Sequence, residues 1–451
     1  MRSLPGLTFD ALAPDQAVRV LVRAFRRGPV RGPVVRVEVP VTPVDALAWL
    51  HAQPFTERVY WHGRGADEVL AGVGAADVVE ADSLEALEAA LGPRLSTLPA
   101  AARYLGAARF APTDPITDEW SAFGRVRFVL PRVELRVTND EAMLAAHLLP
   151  GRDDPKAVAE ELEQLAWPTW PTAEALPLPV ARTDAPDAAG WNAAVTWALG
   201  AFRTTPLDKV VLARRTRFMF DEPLDPYALL RQLEATTPAC YHALIGVGDA
   251  AFLSATPERL LYVEGSRFDT EAVAGTRPRS VEAAGDRRLL DELLGSEKDR
   301  REQAFVRKAL VEALDPLAAT LEAGAEPSAL TLAHGRHLRT GLRGRLRPGT
   351  SPLDVLRALH PTPAVGGTPR EEALAALRQL EPFDRGLYAG PIGWVGPNAA
   401  EFAVGIRSGL VHGHTLDLYA GAGIVAGSEP ETEWAEIEHK IGGFARVLGL
   451  V

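Results

Sequence analysis

Cysteine is almost missing from this sequence: Cys240 is the single one among 451 residues. That excludes an internal disulfide framework and any thiolate metal cluster, and a lone free thiol suits a reducing cytoplasm. Long apolar runs are missing too. No uninterrupted stretch approaches the roughly 20 residues of a membrane span, and the opening "MRSLPGLTFDALAPDQAVRV" has no apolar core of the signal-peptide kind. Positive charge is in deficit, with 48 Lys+Arg against 59 Asp+Glu and a formal net charge of -11. Such a surface repels nucleic acid and anionic lipid, so neither is expected as a partner. What remains is a soluble, cytoplasmic globular protein with 47% hydrophobic residues, ample for a large core, and a monomer by default.

Lysine is scarce as well. Of the 48 basic residues only five are lysines: Lys156, Lys209, Lys298, Lys308 and Lys440. Arginine stays protonated, whereas a desolvated lysine can lose its proton and act as a base. In a chain that uses Arg for plain positive charge, each lysine marks a place where Arg would not serve.

Three stretches organise the chain. Residues 1–165 carry strand-like runs such as "VVRVEVPV" and "VRFVLPRVELRV" with helical runs such as "ADSLEALEAALG" between them. Residues 166–186 form a proline-rich connection. Residues 187–451 are patterned more sharply. "DAAGWNAAVTWALGAFRT" predicts a helix, "KVVLARRTRFMF" a strand, and "GDRRLLDELLGSEKDRREQAFVRKALVEALDPL" is helical throughout. "GLYAGPIGWVG", "EFAVGIRSGLV" and "HTLDLYAGAGIVAG" predict strands, and a last helix runs from 429 to 447. Strands cluster without strict helix alternation, which predicts an α+β fold with antiparallel sheets and outer helices.

"GAGIVAG", residues 421–427, looks like a dinucleotide loop but fails that reading. Its third glycine is one place late, and no second strand follows the helix. That helix start carries a capping-box pattern, Ser428 and Glu431, with Pro430 in the first turn. Glu433, Glu436, Ile437 and Lys440 then share one face. They form either a solvated face with a Glu436–Lys440 pair, or two carboxylates for a hard divalent cation beside a lysine that grips an anion. "SEKDRREQ" offers Asp299 and Glu302 on one face with the same two readings. Lys209 heads an apolar strand and either snorkels to water or acts as a base. Glu258 follows Pro257 between two strand-like runs, as a turn carboxylate paired with Arg259 or as a general acid whose pKa burial raises. "VAGTRPR" and the "VGG" of "LHPTPAVGG" read as tight glycine turns whose N–H groups can approach an anion. Arg407 in "VGIRSG" sits in a strand of small residues, placed to pair with a carboxylate.

Taken together over residues 185–450, "KVVLAR", "SATPERL", "VAGTRPR", "SEKDRREQ", "LHPTPAVGG", "DRGLYAGPIGW", "FAVGIRSG" and "GAGIVAGSEPETEWAEIEHK" resemble the chorismate-utilising enzymes, and among them the isochorismate synthases. The resemblance implies two packed, largely antiparallel sheets with outer helices and a deep central site. It implies Mg2+ as cofactor, with Glu302 and Glu436 as ligands and Glu433 nearby or acting through water. It implies Lys209 as base, Glu258 as acid, and Arg407 and Lys440 as grips on the substrate carboxylate. Gly275, Thr276, Gly421 and Gly423 would line the pocket, with Tyr388 and His360 near it. Relatives that use ammonia lack a lysine at the position of Lys209, so water is the implied nucleophile and no glutaminase subunit is expected. The expected reaction is conversion of chorismate to isochorismate, for either menaquinone or siderophore synthesis. The alternative is a salicylate synthase that goes on to eliminate pyruvate; a catalytically silent relative is disfavoured because base, acid and metal positions are all filled. One departure is Gln303, where the family often has His.

Overall fold

The computed structural model of the protein describes residues 11–26, 32–139, 141–168, 175–280, 282–333 and 335–450. The first part of the chain runs α1 (Pro14–Arg26), β1 (Val35–Val41), α2 (Ala46–Ala52), β2 (Glu57–His62), β3 (Val69–Ala81), α3 (Leu84–Leu95), β4 (Tyr104–Ala108), β5 (Val126–Val137), β6 (Ala142–Leu148) and α4 (Pro155–Glu163). Then follow β7 (Ala181–Ala185), α5 (Ala188–Thr204), β8 (Lys209–Met219), α6 (Pro226–Thr236), β9 (Tyr241–Val247), β10 (Ala250–Thr256), β11 (Arg259–Glu264) and β12 (Arg267–Pro278). The remainder is α7 (Ala283–Gly295), α8 (Glu297–Leu314), β13 (Ala318–Ala323), β14 (Ser328–Thr331), β15 (Gly335–Leu346), α9 (Pro352–Leu359), β16 (Gly367–Thr368), α10 (Arg370–Leu380), β17 (Pro391–Val395), β18 (Ala399–Val404), β19 (Ser408–His412), β20 (Thr415–Val425) and α11 (Pro430–Val447).

The fold is α+β, and its strands pair antiparallel. They join into one continuous hydrogen-bonded sheet with two arms that meet at β5. One arm runs β5–β3–β2–β9–β10–β19–β20–β8–β7. The other runs β5–β4–β17–β18–β11–β12–β15. The early strands therefore supply the join itself: β2 pairs with β9, and β4 with β17.

Two of the places where the chain passes between the arms are adjacent. From β10 to β11 it crosses through Pro257 and Glu258. From β18 to β19 it crosses through Gly405, Ile406 and Arg407. The crossings are tied to one another's strands, since Val404 N donates to Glu258 O (3.1 Å) and Ala255 N donates to Arg407 O (2.9 Å). A cavity lies where these crossings, the glycine-rich end of β20 and helices α8 and α11 come together.

Several local expectations change. The long helical stretch breaks at Gly295–Ser296, where Ser296 Oγ accepts from Asp299 N (3.2 Å) and starts α8 afresh. "EFAVGIRSGLV" is not one strand, because Arg407 has φ +49 and interrupts it. "VAGTRPR" is not a tight turn either. It is the bulged end of β12, where Gly275 at φ +71 shifts the register against β15. Within the proline-rich connection, Ala181–Ala185 is a strand on β8, and 169–174 lie outside the described residues. The capping box at α11 does not form: Ser428 Oγ accepts from Val425 N (3.2 Å) and closes the preceding turn, while Glu429 takes the cap position without a side-chain bond to the helix backbone. Among the described residues no helix is long and apolar enough to cross a membrane.

Candidate active site

Helix α11 is held down by its apolar face. Ile437, Ile441 and Phe444 are buried, Trp434 meets Trp191 of α5 edge-on, and Arg214 of β8 lies 4.0 Å over the Trp434 ring. Arg214 also bonds Glu438 (2.7 Å), and Trp191 Nε1 donates to Pro430 O (3.1 Å). This anchoring holds the adjoining Glu433, Glu436 and Lys440 along the cavity. Helix α8 buries Gln303, Val306, Leu310 and Leu314 at helical spacing, which turns Glu302 to the same cavity. The two acidic helices do converge: Lys298 of α8 donates to Glu433 of α11 at 2.9 Å.

The cavity has a volume of about 350 Å³. Of the expected site residues, Glu258, Gly275, Thr276, Glu302, Tyr388, Arg407, Gly421, Gly423, Glu433, Glu436 and Lys440 line it. Lys209 lies directly beneath its floor. Its side chain is fully buried, and Nζ is 2.9 Å from Glu302 Oε1, although the contact is not directed as a hydrogen bond. Strand β20 explains the placement: Val425 is the register partner of Lys209, so Gly423 lies over the lysine stem. A Cβ on Gly423 would run into Glu302 Oε1 and sit 3.2 Å from Lys209 Cε. A Cβ on Gly421 would fall 2.8 Å from the Tyr388 hydroxyl. The glycines of "GAGIVAG" thus form the floor of a cavity in which side chains take the space.

This geometry makes Gly423→Ala informative. What the new methyl meets are side-chain ends, so the fold should stand. Those ends are the Lys209 amine and the Glu302 carboxylate, and displacement by an ångström can cost roughly 10²-fold in rate. Melting temperature within a degree or two of wild type, together with a turnover loss of that order, is the expected result in parallel thermal and kinetic assays.

The charges alternate in pairs. Glu302 faces Lys209, Glu433 faces Lys298, and Glu436 lies 2.5 Å from Lys440, whose Nζ also donates to Gly421 O (2.7 Å). Burial works to raise the Glu436 carboxyl, but the charge and hydrogen bond of Lys440 outweigh it and hold it below its ordinary range. Glu258 goes the other way. Burial first, and the negative charge of Glu271 second, push it up to about 8. It does not pair with Arg259, which instead donates to the Tyr241 hydroxyl (2.8 Å).

Arg407, with its guanidinium on the cavity wall, donates Nη1–H to Lys440 O (3.1 Å). Tyr388 stacks on Tyr419 with centroids 5.4 Å apart. His360 does not join them. It is buried behind the site, with Nε2 2.9 Å from Phe110 O, and holds the "LHPTPAVGG" turn against the body of the protein. That turn is clamped further by Arg385, which binds Glu381 through two bonds and donates to Val365 O and Val211 O.

The sequence reading missed His337, which lines the cavity from β15. Burial, then the charges of Arg407 and Lys440, lower its pKa to about 3, so the ring is neutral. Nδ1 lies 3.0 Å from Gly275 O, an acceptor only, so Nδ1 carries the hydrogen and Nε2 keeps a lone pair. A lone histidine among alternating polar residues gives no local signal; only the pairing of β15 with the bulge at Gly275 brings it in. Lys298 was also not assigned to the site; Asp299, offered beside Glu302, packs against the bare Cα of Gly275 and pairs with Arg277 (2.8 Å). Behind Arg407 and Lys440 a smaller, apolar hollow of about 70 Å³ is closed by Leu233, Cys240 and Phe444. Burial raises the Cys240 thiol to about 11, which makes it inert.

Glu302, Glu433 and Glu436 are hard oxygen donors of the kind that suits Mg2+, and the cradle over Gly423 leaves room at Glu302. In the present arrangement each donor is turned to a lysine, and the three do not lie within 4.8 Å of one another. The donor set fits such an ion, provided the lysine pairs open.

A sheet with two crossings, carrying an acid and a guanidinium over an acidic cavity floored by glycine, defines a class. The chain matches the model of the chorismate binding enzymes over residues 22–449 and belongs to that family. Among its relatives, isochorismate synthase 2, chloroplastic, of Arabidopsis thaliana is 33% identical over 461 aligned positions, covering 93% of this chain and 81% of the relative. Isochorismate synthase MenF of Escherichia coli (strain K12) is 32% identical over 413, covering 90% of each. The solved structure of MenF, the menaquinone-specific isochorismate synthase from Escherichia coli, matches with a TM-score of 0.86 at 30% identity, over 97% of this chain and 99% of that one. Anthranilate synthase component I from Streptococcus pneumoniae TIGR4, at 18% identity and a TM-score of 0.67, shares the fold.

Proposed function

We propose that the protein is an isomerase that converts chorismate to isochorismate, adding water at C2 with loss of the C4 hydroxyl, and that Mg2+ is its cofactor. The observation that carries this reading is the company kept by one cavity. A buried carboxyl with its pKa near 8, Glu258, shares it with Glu302, and the buried amine of Lys209 touches Glu302 from below.

Bound by Glu302 and Glu436, with Glu433 beside them, Mg2+ would neutralise the ring carboxylate of the substrate. Arg407 and Lys440, both on the cavity wall, offer a fork and a point charge for a carboxylate. Lys209 takes a proton from the water that attacks C2. Glu258 holds a proton at neutral pH and gives it to the departing C4 hydroxyl, while the ring double bonds shift between them. Each positioned proton transfer contributes roughly 10²–10⁴-fold. Tyr388, Val365 and Ile406 supply the apolar part of the cavity wall. Water as nucleophile calls for no glutaminase partner, and the chemistry suits a cytoplasmic enzyme.

The test is product analysis. Purified protein incubated with chorismate and Mg2+ should yield isochorismate on chromatography, and little without the metal. Salicylate and pyruvate at early times would replace the reading with that of a salicylate synthase, and no product at all would remove it.

A further inference from the structure

A second cluster of ligating side chains lies apart from the cavity. Strand β2 belongs to the early part of the chain and pairs with β9, and in that register His62 is opposite His242. Cross-strand partners have Cβ atoms about 4.5–5.5 Å apart, near enough for two imidazoles to reach one ion. Helix α6 places Glu234 above them. A nitrogen of each histidine and a carboxylate oxygen of Glu234 all lie within 4.8 Å of one another. His62 Nδ1 and Glu234 Oε1 are already 3.2 Å apart.

The surroundings determine which histidine nitrogen is open. Thr237 has one hydroxyl hydrogen, which it donates to Leu233 O (2.5 Å). Its oxygen therefore accepts from His242 Nε2–H, 2.9 Å away. His242 Nδ1 is then left with a bare lone pair, and it is buried with no hydrogen-bond partner. The residue is only 2% exposed, so water does not compensate. An unmet acceptor in the interior is costly, and a cation is one means of satisfying it. Glu234 Oε1 also accepts from the Tyr60 hydroxyl (2.7 Å), which holds the carboxylate towards His62. Ligands whose outer atoms are fixed by hydrogen bonds are the common pattern of metal sites. The neighbouring cation, Arg231, is engaged by Asp45 (2.5 Å). His62 and Glu234 are 34% and 22% exposed, so an ion has a way in.

We infer that His62, Glu234 and His242 form a site for a borderline divalent cation of the Zn2+ class, separate from the carboxylate cavity. Two imidazoles and one carboxylate suit Zn2+ or Co2+ and not Mg2+. Tetrahedral ligation at roughly 2.0–2.1 Å sets ligand atoms about 3.4 Å apart, so closure asks for a contraction of about an ångström, which the half-exposed His62 can supply. The ion takes the place of the hydrogen between His62 Nδ1 and Glu234 Oε1, and that proton leaves to solvent. Because β2 comes from the early part of the chain and α6 and β9 from the later part, a bound ion clips the two together.

The experiment uses the whole protein and Zn2+ alone, with retained metal measured after equilibrium dialysis, and Co2+ as a spectroscopic probe. Wild type should retain one Zn2+ per chain and show visible Co2+ bands of nitrogen–oxygen ligation. A control carrying Glu302→Gln and Glu436→Gln, which disables the cavity, should retain it equally. His242→Gln and Glu234→Gln should lose affinity by roughly 10–100-fold or more. His62→Gln, half-exposed and expected to fold, should behave alike, and the rise in melting temperature with Zn2+ expected of wild type should be absent in it. No retained Zn2+ in wild type, or equal retention in His62→Gln, would overturn the assignment.

Discussion

Replacing Lys209 by alanine should leave a folded protein that binds chorismate in the presence of Mg2+ and turns over almost none of it. The amine is the group we assign to take the proton from water, and a positioned base contributes roughly 10²–10⁴-fold. It touches no solvent, and buffer bases have no easy route to replace it. Arginine should not rescue the loss, because a guanidinium stays protonated. Binding should survive because Arg407, Lys440 and the three glutamates are untouched. Calorimetric titration with chorismate and a turnover assay read the two quantities separately. Substantial turnover in Lys209→Ala would show that another group is the base; loss of binding along with turnover would show that the lysine serves the site's architecture instead.

Glu258→Gln should abolish most activity and yet stabilise the protein, increasingly so as the pH rises. Burial, then the charge of Glu271, push the folded carboxyl from its ordinary 4.5 up to about 8. Between those values the folded protein holds a proton that the unfolded chain has released. Stability falls with pH wherever the folded state binds more protons, so wild type loses stability across this window and is free of the loss below it. Glutamine has no proton to release. The melting-temperature advantage of the variant should therefore widen from about pH 5 to about pH 8 and then level off. In the wild type, kcat/KM should decline above about pH 8 as the acid ionises. Parallel melting curves for the two proteins across that range would mean that Glu258 is an ordinary, ionised carboxylate, and with that its role as acid would fail.

Lys209 was legible because lysine is rare here and because it heads an apolar strand; one residue was enough to raise the question of a base. Helix α5 was legible because its cap is local: Asp187, which opens the predicted stretch, accepts from Gly190 N (2.8 Å). The motif set also announced the antiparallel α+β plan, and so the cavity-lining glycines. What was hidden depends on distant pairing. Arg407 departs from the expected strand because the chain must leave one arm of the sheet for the other there. Ser428 gives up its helix-cap role to a turn that closes on Val425. His360 sits in a family motif, yet its ring is spent on Phe110 O. His337 and the His62–His242 pair become visible only when β15 meets β12 and β2 meets β9, pairings between segments about 60 and 180 residues apart. The join of the two arms through β5 rests on the same kind of distant pairing, β3 and β4 each bonding β5.

The central claim is that a water molecule, prepared by one buried side chain and balanced by a proton from another, becomes the C2 hydroxyl of the product. Running the reaction with chorismate and Mg2+ in 18O-enriched water and weighing the isochorismate by mass spectrometry tests it most directly. One heavy oxygen per product molecule is expected, located on the ring at C2. Isochorismate formed without the label would mean that the original hydroxyl migrates, and that Lys209 and Glu258 do not play the parts assigned to them.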